Sequence, residues 1–316
     1  MRVLLAIDGS ASSDRARDLV AGIDWPEGTM IRVVAALEHA AELAGLPWLP
    51  VPPPDESEIE SSLIRRYQTA LEAAERILER PGRGVESLLL RGRPASAIVD
   101  EARDWRADLI VLGNRGHGQF ETMLLGSVSA EVVDHAPCPV LVARSPKLRA
   151  ILLADDGSEG AKEAADLLAE WPIFEGLRVT VLSVSEVAIP WSAGMAPGLY
   201  DQVMETYAES VQEARRELAA LVSATADRLS DAGLVTSVEV RDGDPAPTIV
   251  KAATEHGADL IVMGTRGLTG LSRILLGSVA RNVLIHAPCS VLIVREHTFE
   301  PQRATEGAGA SAGTTA

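Results

Sequence analysis

Two α/β domains in tandem, each a parallel sheet covered by helices on both faces, are what this sequence predicts, and three observations carry the expectation. Landmarks recur 151 residues apart: Gly113 with Gly264, Gly126 with Gly277, and Cys138 with Cys289. Short apolar runs alternate with longer amphipathic segments, the order that parallel strands with helical crossovers require. The apolar run ADLIVLG (Ala107–Gly113) returns as ADLIVMG (Ala258–Gly264), and each copy opens into a glycine-bearing loop. Such repetition marks a duplicated unit, with the boundary at Ser145-Pro146-Lys147.

In the first half, Arg2–Ile7 is an apolar run closed by Asp-Gly-Ser, a strand followed by a helix N-cap signal. Ser13–Ile23 follows as a short helix and Met30–Ala36 as the second strand. The connection PWLPVPPPDESE can be neither helix interior nor central strand. Ser57–Glu79 has apolar residues at Ile59, Leu63, Ile64, Tyr67 and Leu71, close to a helical period. Val85–Leu90, Asp108–Leu112 and Val140–Ala143 complete the strands, with Ala95–Trp105 a helix between the first two of these. The second half repeats the series with strands at Ala150–Ala154, Arg178–Val184, Val235–Val240, Leu260–Met263 and Val291–Val294, and a long helix over Asp201–Ser230. Its opening strand matches that of the first half at an interval three residues shorter, so a net insertion of three falls between the first and third strands. The expected units are residues 1–145 and 149–296, followed by a Gly/Ala/Ser/Thr-rich tail over 297–316 expected to be disordered.

At 316 residues with 47% hydrophobic content, the chain is long enough for two domains with cores of their own. No apolar run reaches the roughly 20 residues of a membrane span, and the apolar stretch before Asp8 is too short for a signal peptide, which points to the cytoplasm. A net charge of −16 disfavours nucleic acid and anionic membranes as partners. Cys138 and Cys289 sit in matching Ala-Pro-Cys contexts at the start of strands and read as reduced core residues.

The chemistry-bearing pattern is G-x2-G-x9-G-S, read at Gly113, Gly116, Gly126 and Ser127 and again at Gly264, Gly267, Gly277 and Ser278. Glycines let backbone amides close on an anion, and a helix start adds free N–H donors and positive dipole potential. An aspartate ends the first strand of each half, Asp8 and Asp156, and a G-x-P turn follows each third strand, Gly92-Arg93-Pro94 and Gly243-Asp244-Pro245. The halves carry no GxxxxGK[ST], no GxGxxG, no HExxH and no GxSxG. His135 and His286 correspond but precede the Ala-Pro-Cys segments and read as structural, while His117, beside the first loop, is matched by Leu268.

Taken together these residues resemble the universal stress protein family, and specifically tandem members of its ATP-binding branch; the likeness covers residues 1–296. The resemblance implies Rossmann-like (adenine nucleotide alpha hydrolase-like) domains with five parallel strands in the order 3-2-1-4-5. The chain then reverses between strands 1 and 4, where open sheets bind ligands. It implies ATP, with magnesium carried on its phosphates and no protein metal ligands. Gly116 and Gly267 would pass close to phosphate, Gly126-Ser127 and Gly277-Ser278 would meet the β- and γ-phosphates, and Arg115 and Arg266 could pair with them. Gly113 and Gly264 open the loops, Asp8 and Asp156 suit ribose or adenine donors, and Ala36 and Val184 flank adenine. Ser127 and Ser278 also suit ordinary helix N-caps. The expected role is regulatory, through nucleotide-dependent loops and partner surfaces, with Leu46–Ser57 and Ile189–Tyr200 as gates. An ATP-hydrolysing or nucleotidyl-transferring enzyme and a nucleotide-independent scaffold are the alternatives; no catalytic base common to both halves supports the former. The last strands are expected to pair the two domains within the chain or to form a homodimer. Asp155, where the first half has Ile7, would weaken phosphate binding, help hold a metal, or, by strand alternation, point away from Asp156.

Overall fold

The computed structural model describes residues 1–38, 56–116, 125–186, 197–265 and 276–295. The first half runs β1 (Arg2–Ala6), α1 (Ala11–Gly22), β2 (Met30–Leu37), α2 (Glu56–Leu78), β3 (Gly84–Arg91), α3 (Pro94–Asp104), β4 (Leu109–Gly113), α4 (Ser127–His135) and β5 (Val140–Ala143). The second half repeats it with β6 (Ala150–Ala154), α5 (Glu159–Glu170), β7 (Arg178–Ser185), α6 (Pro197–Asp231), β8 (Val235–Asp242), α7 (Pro245–Glu255), β9 (Leu260–Gly264), α8 (Ser278–His286) and β10 (Ser290–Val294). A short 3-10 turn, Pro172–Phe174, follows α5 and has no counterpart in the sequence reading.

All ten strands form one sheet in the order β3-β2-β1-β4-β5-β10-β9-β6-β7-β8, so each half has the expected order 3-2-1-4-5. Pairing is parallel within each half and antiparallel at the centre, where Val291 faces Val142, Leu292 faces Leu141, and Ile293 faces Val140. The last strand of each half is thereby consumed inside the chain, and β3 and β8 are left as the sheet edges. These edges carry charge, Glu86 and Arg91 on one, Glu239 and Arg241 on the other, which discourages further strand addition.

The central strands β4, β5 and β9 are apolar and buried along their whole length because both faces are covered. Val3, Leu5 and Ile7 belong to the core under α1 and α2, and their neighbours Leu4 and Ala6 belong to the opposite core. Each of the two cores runs through both halves of the chain. Helix starts follow local chemistry: Ser10 and Ser158 cap α1 and α5 by accepting from Ser13 N and Ala161 N. The G-x-P turns are a backbone device. Gly92 and Gly243 have φ of 118° and 139°, and the following prolines open α3 and α7. Their amides donate to Leu37 O and Ser185 O at 3.0 Å, fastening the turns to the ends of β2 and β7.

Cys138 and Cys289 lie just before β5 and β10 and are 0% and 5% exposed. Burial pushes both thiols up to about 12. The stability that goes with these neutral buried thiols is fully present below the ordinary thiol pKa and is lost as pH rises towards the folded value. Neither thiol is expected to react with an aromatic disulfide reagent at neutral pH, whereas both react in denaturant. Rapid modification of the folded chain would contradict this placement.

Candidate functional site

The site lies where β1 and β4, and again β6 and β9, part company at their C-terminal ends. In the first half the β1–α1 turn is an Asx turn: Asp8 Oδ1 accepts from Ser10 N at 2.9 Å. The second half repeats it between Asp156 Oδ1 and Ser158 N at 3.0 Å. Both aspartates are half-buried and held at the strand end by their own backbone.

The glycine loops are pinched at the neck. Gly126 N donates to Asn114 O, and Gly277 N to Thr265 O, each at 2.8 Å. In the first half the neck is also stitched to α1: Ser12 Oγ donates to Asn114 Oδ1 at 2.8 Å and accepts from Arg115 N at 3.2 Å. Ser129 Oγ on α4 donates back to Gly113 O at 2.8 Å. Arg115 is exposed on this loop, and Arg266 and Gly267 fall outside the described residues. The proposed gates lie outside them as well, over 46–55 and 189–196, as does the tail.

The motif glycines divide into two kinds. A Cβ on Gly113 would stand 2.7 Å from Ser12 C, and one on Gly264 would stand 2.5 Å from Gly160 C. These two glycines therefore admit the first turns of α1 and α5 against the sheet. A Cβ on Gly116 would instead meet Asp8 Oδ2 at 2.6 Å, so the loop backbone packs directly against the strand-end carboxylate at the edge of the cleft. Ser127 and Ser278 occupy the first helical position and are exposed; the caps are Gly126 and Gly277, with φ of −73° and −62°, and neither helix has a side-chain cap bond. The N-cap reading of the serines is corrected accordingly. Their hydroxyls stand at a helix start whose first amides have no partner within the helix.

In the second half the cleft is a cavity of about 480 Å³, within the range that holds a nucleotide-sized ligand. Asp156, Val184, Gly264, Gly277 and Ser278 all line it. The sequence reading missed the rest of the wall: Leu182, Ile249 and Met263 from the sheet side and α7, and Ala214, Glu217 and Leu218 from α6. The α6 residues recur at helical spacing, a signal present in the sequence once the face is known. In the first half, Ala36 near the end of β2 pairs with Leu90 and is the register counterpart of Val184.

Asp155 is 5% exposed, and its oxygens are engaged: Oδ1 accepts from Gly157 N at 3.0 Å and Oδ2 from Thr225 Oγ1 at 2.7 Å. It ties α6 to the strand-end turn. No group of three or more His, Cys, Asp or Glu among the described residues has the arrangement of a metal site. No helix among those residues is long and apolar enough to cross a membrane.

The family model described as "Universal stress protein family" matches residues 1–144 and 147–295. A universal stress protein of Thermus aquaticus is 38% identical over 143 residues, covering 45% of this chain and 97% of its own length. A universal stress protein of Mycobacterium tuberculosis is 29% identical over 310 residues, covering 93% of this chain and 97% of its own. The crystal structure of a universal stress protein from Archaeoglobus fulgidus superposes with a TM-score of 0.61 at 20% identity, covering 93% of this chain and 98% of that one, a likeness of fold. With the duplicated strand order, the paired Asx turns and the two pinched glycine loops, these matches establish that the chain belongs to the universal stress protein family, as a tandem member with two family domains.

Proposed function

We propose that the chain binds ATP in the cleft of each half, in the cytoplasm, and acts as a regulator whose loops and partner surfaces respond to the bound nucleotide. The observation that carries this reading is the second-half cavity, which gathers a strand-end carboxylate, an apolar wall and a helix start at the fork of one parallel sheet. The fit is chemical at both ends. Leu182, Val184, Ile249 and Met263 offer an apolar slot for a base, and the first amides of α8, which have no acceptor within the helix, offer donors to phosphate with Ser278 Oγ. Asp156, with one oxygen on Ser158 N, is suited to accept from a ribose hydroxyl. Magnesium would travel with the phosphates and offset part of their charge.

The residues bind and orient; a regulatory role needs nothing more. Titration calorimetry with ATP and magnesium on nucleotide-stripped protein tests the reading. Two sites per chain are expected, and Asp8→Ala and Asp156→Ala should each weaken one site on the order of tenfold, the worth of one charge-assisted hydrogen bond. Absence of any heat in the unaltered protein would sink the proposal. Slow release of phosphate, unchanged by either substitution, is the expected result of a turnover assay.

A further inference from the structure

The two clefts differ in the helix that overhangs them. Gly82 and Gly233, with φ of 79° and 90°, end the α2 and α6 connections 151 residues apart, and the fully buried Leu78 and Leu229 keep that interval. The same register sets Arg66 against Glu217 and Tyr67 against Leu218. Glu217 and Leu218 line the second cavity. Tyr67 is partly buried against the core beneath α1 and α2; burial raises its hydroxyl pKa, and the nearby charges of Asp8 and Glu38 raise it further against the opposing Arg66. Glu38 is in turn the counterpart of Glu186, which lines the second cavity.

Resting on the reading of both clefts as adenine-nucleotide sites, we infer that the two are unequal: the first takes the polyanionic nucleotide more tightly, and the α2 and α6 residues set the difference. Arg66 and Ile7 lie together on a groove of about 270 Å³ against α1, whereas their counterparts Glu217 and Asp155 line the second cavity; the exchanges differ by two unit charges and by a third, all making the second cleft more negative. A cavity of about 480 Å³ keeps every lining charge within roughly a Debye length of a ligand inside it. Glu217 therefore acts against the phosphates without touching them. Tyr67 adds a flat ring over the cleft on which a base can stack, where Leu218 offers aliphatic contact alone.

The test is calorimetry on the full, nucleotide-stripped chain with ATP and magnesium, and separately with adenosine as an uncharged probe. ATP should give two phases separated on the order of tenfold in affinity. The exchange Glu217→Arg with Leu218→Tyr should bring the weaker phase towards the stronger, and Arg66→Glu with Tyr67→Leu should weaken the stronger phase. The single changes Glu217→Arg and Arg66→Glu should move ATP while leaving adenosine within about twofold, which separates charge from packing. Equal ATP affinities unmoved by the exchanges overturn this inference and leave the nucleotide reading standing. Binding of neither ATP nor adenosine by the unaltered chain overturns both.

Discussion

Replacing Arg144 by alanine should lower the stability of the whole chain by about 3 kcal/mol, because it removes a half-buried cation from the junction between the halves and leaves carbonyls without this donor. Arg144 leaves the end of β5 and crosses to α8, where its Nη2 donates to Leu284 O at 2.6 Å. Leu284 lies in the last turn of that helix, whose carbonyl groups carry the negative end of the helix dipole. Arg295 at the end of β10 makes the reciprocal move, its Nη2 donating to Val133 O at 2.7 Å and Asp134 O at 2.8 Å on α4. Each half thus closes a helix of the other. Burial lowers the Arg144 guanidinium to about 10, so it is still charged at neutral pH. Truncation relieves that desolvation but forfeits the charge-assisted bonds and leaves the carbonyls at the end of α8 without this donor. Lysine should rescue little, since a single ammonium cannot span the positions the planar fork reaches. Urea denaturation measures the loss; a change under about 0.5 kcal/mol would show that the antiparallel β5–β10 pair holds the junction unaided. A one-sided ion pair, Arg281 Nη2 to Asp134 Oδ1 at 2.8 Å, adds to the same seam and should survive the substitution.

The junction also shows what was legible in the sequence. Val140–Ala143 and Val291–Val294 stand out as apolar runs, and strand content follows from that alone. Their antiparallel partnership does not, since two runs of four apolar residues would pair equally well with another chain. The arginine exchange was hidden because Arg144 and Arg295 look like ordinary charges at strand ends. The site was legible where its residues are irreplaceable: Asp8 and Asp156 announce the Asx turn, and the glycine spacing announces the loop. It was illegible where one residue type serves two needs. Gly113 and Gly264 look like phosphate glycines, yet their lack of a side chain is required by α1 and α5, because helix packing and anion contact both demand a bare backbone. Asp155 is the converse case. In sequence it is only an extra charge beside the site, and in the fold the same charge also serves as a hydrogen-bonded tie to Thr225. The α6 wall escaped because long helices with uninterrupted periodicity do not declare which face turns inward until the strands beneath are placed.

That division of the glycines yields a pair of substitutions with opposite signatures. Gly264→Ala should cost about 3 kcal/mol, at the upper end of overpacking penalties, because the new methyl meets backbone that has nowhere to go: Gly160 C at 2.5 Å, O at 2.6 Å and Cα at 2.8 Å. Relief requires α5 to lift from β9, and α5 carries Ser158, whose amide holds Asp156 in place. Stability and second-site nucleotide affinity should therefore fall together. In Gly116→Ala the obstacle is Asp8 Oδ2, the tip of a side chain that can rotate away. Stability should then change by about 1 kcal/mol or less while the first site loses affinity, since Asp8 can relieve the clash only by abandoning its position against the loop. Urea denaturation with calorimetric titration of ATP on both variants separates the cases. An unfolding midpoint unmoved by Gly264→Ala would refute the packing role, and an unaltered first-site affinity in Gly116→Ala would show that Asp8 does not hold the nucleotide.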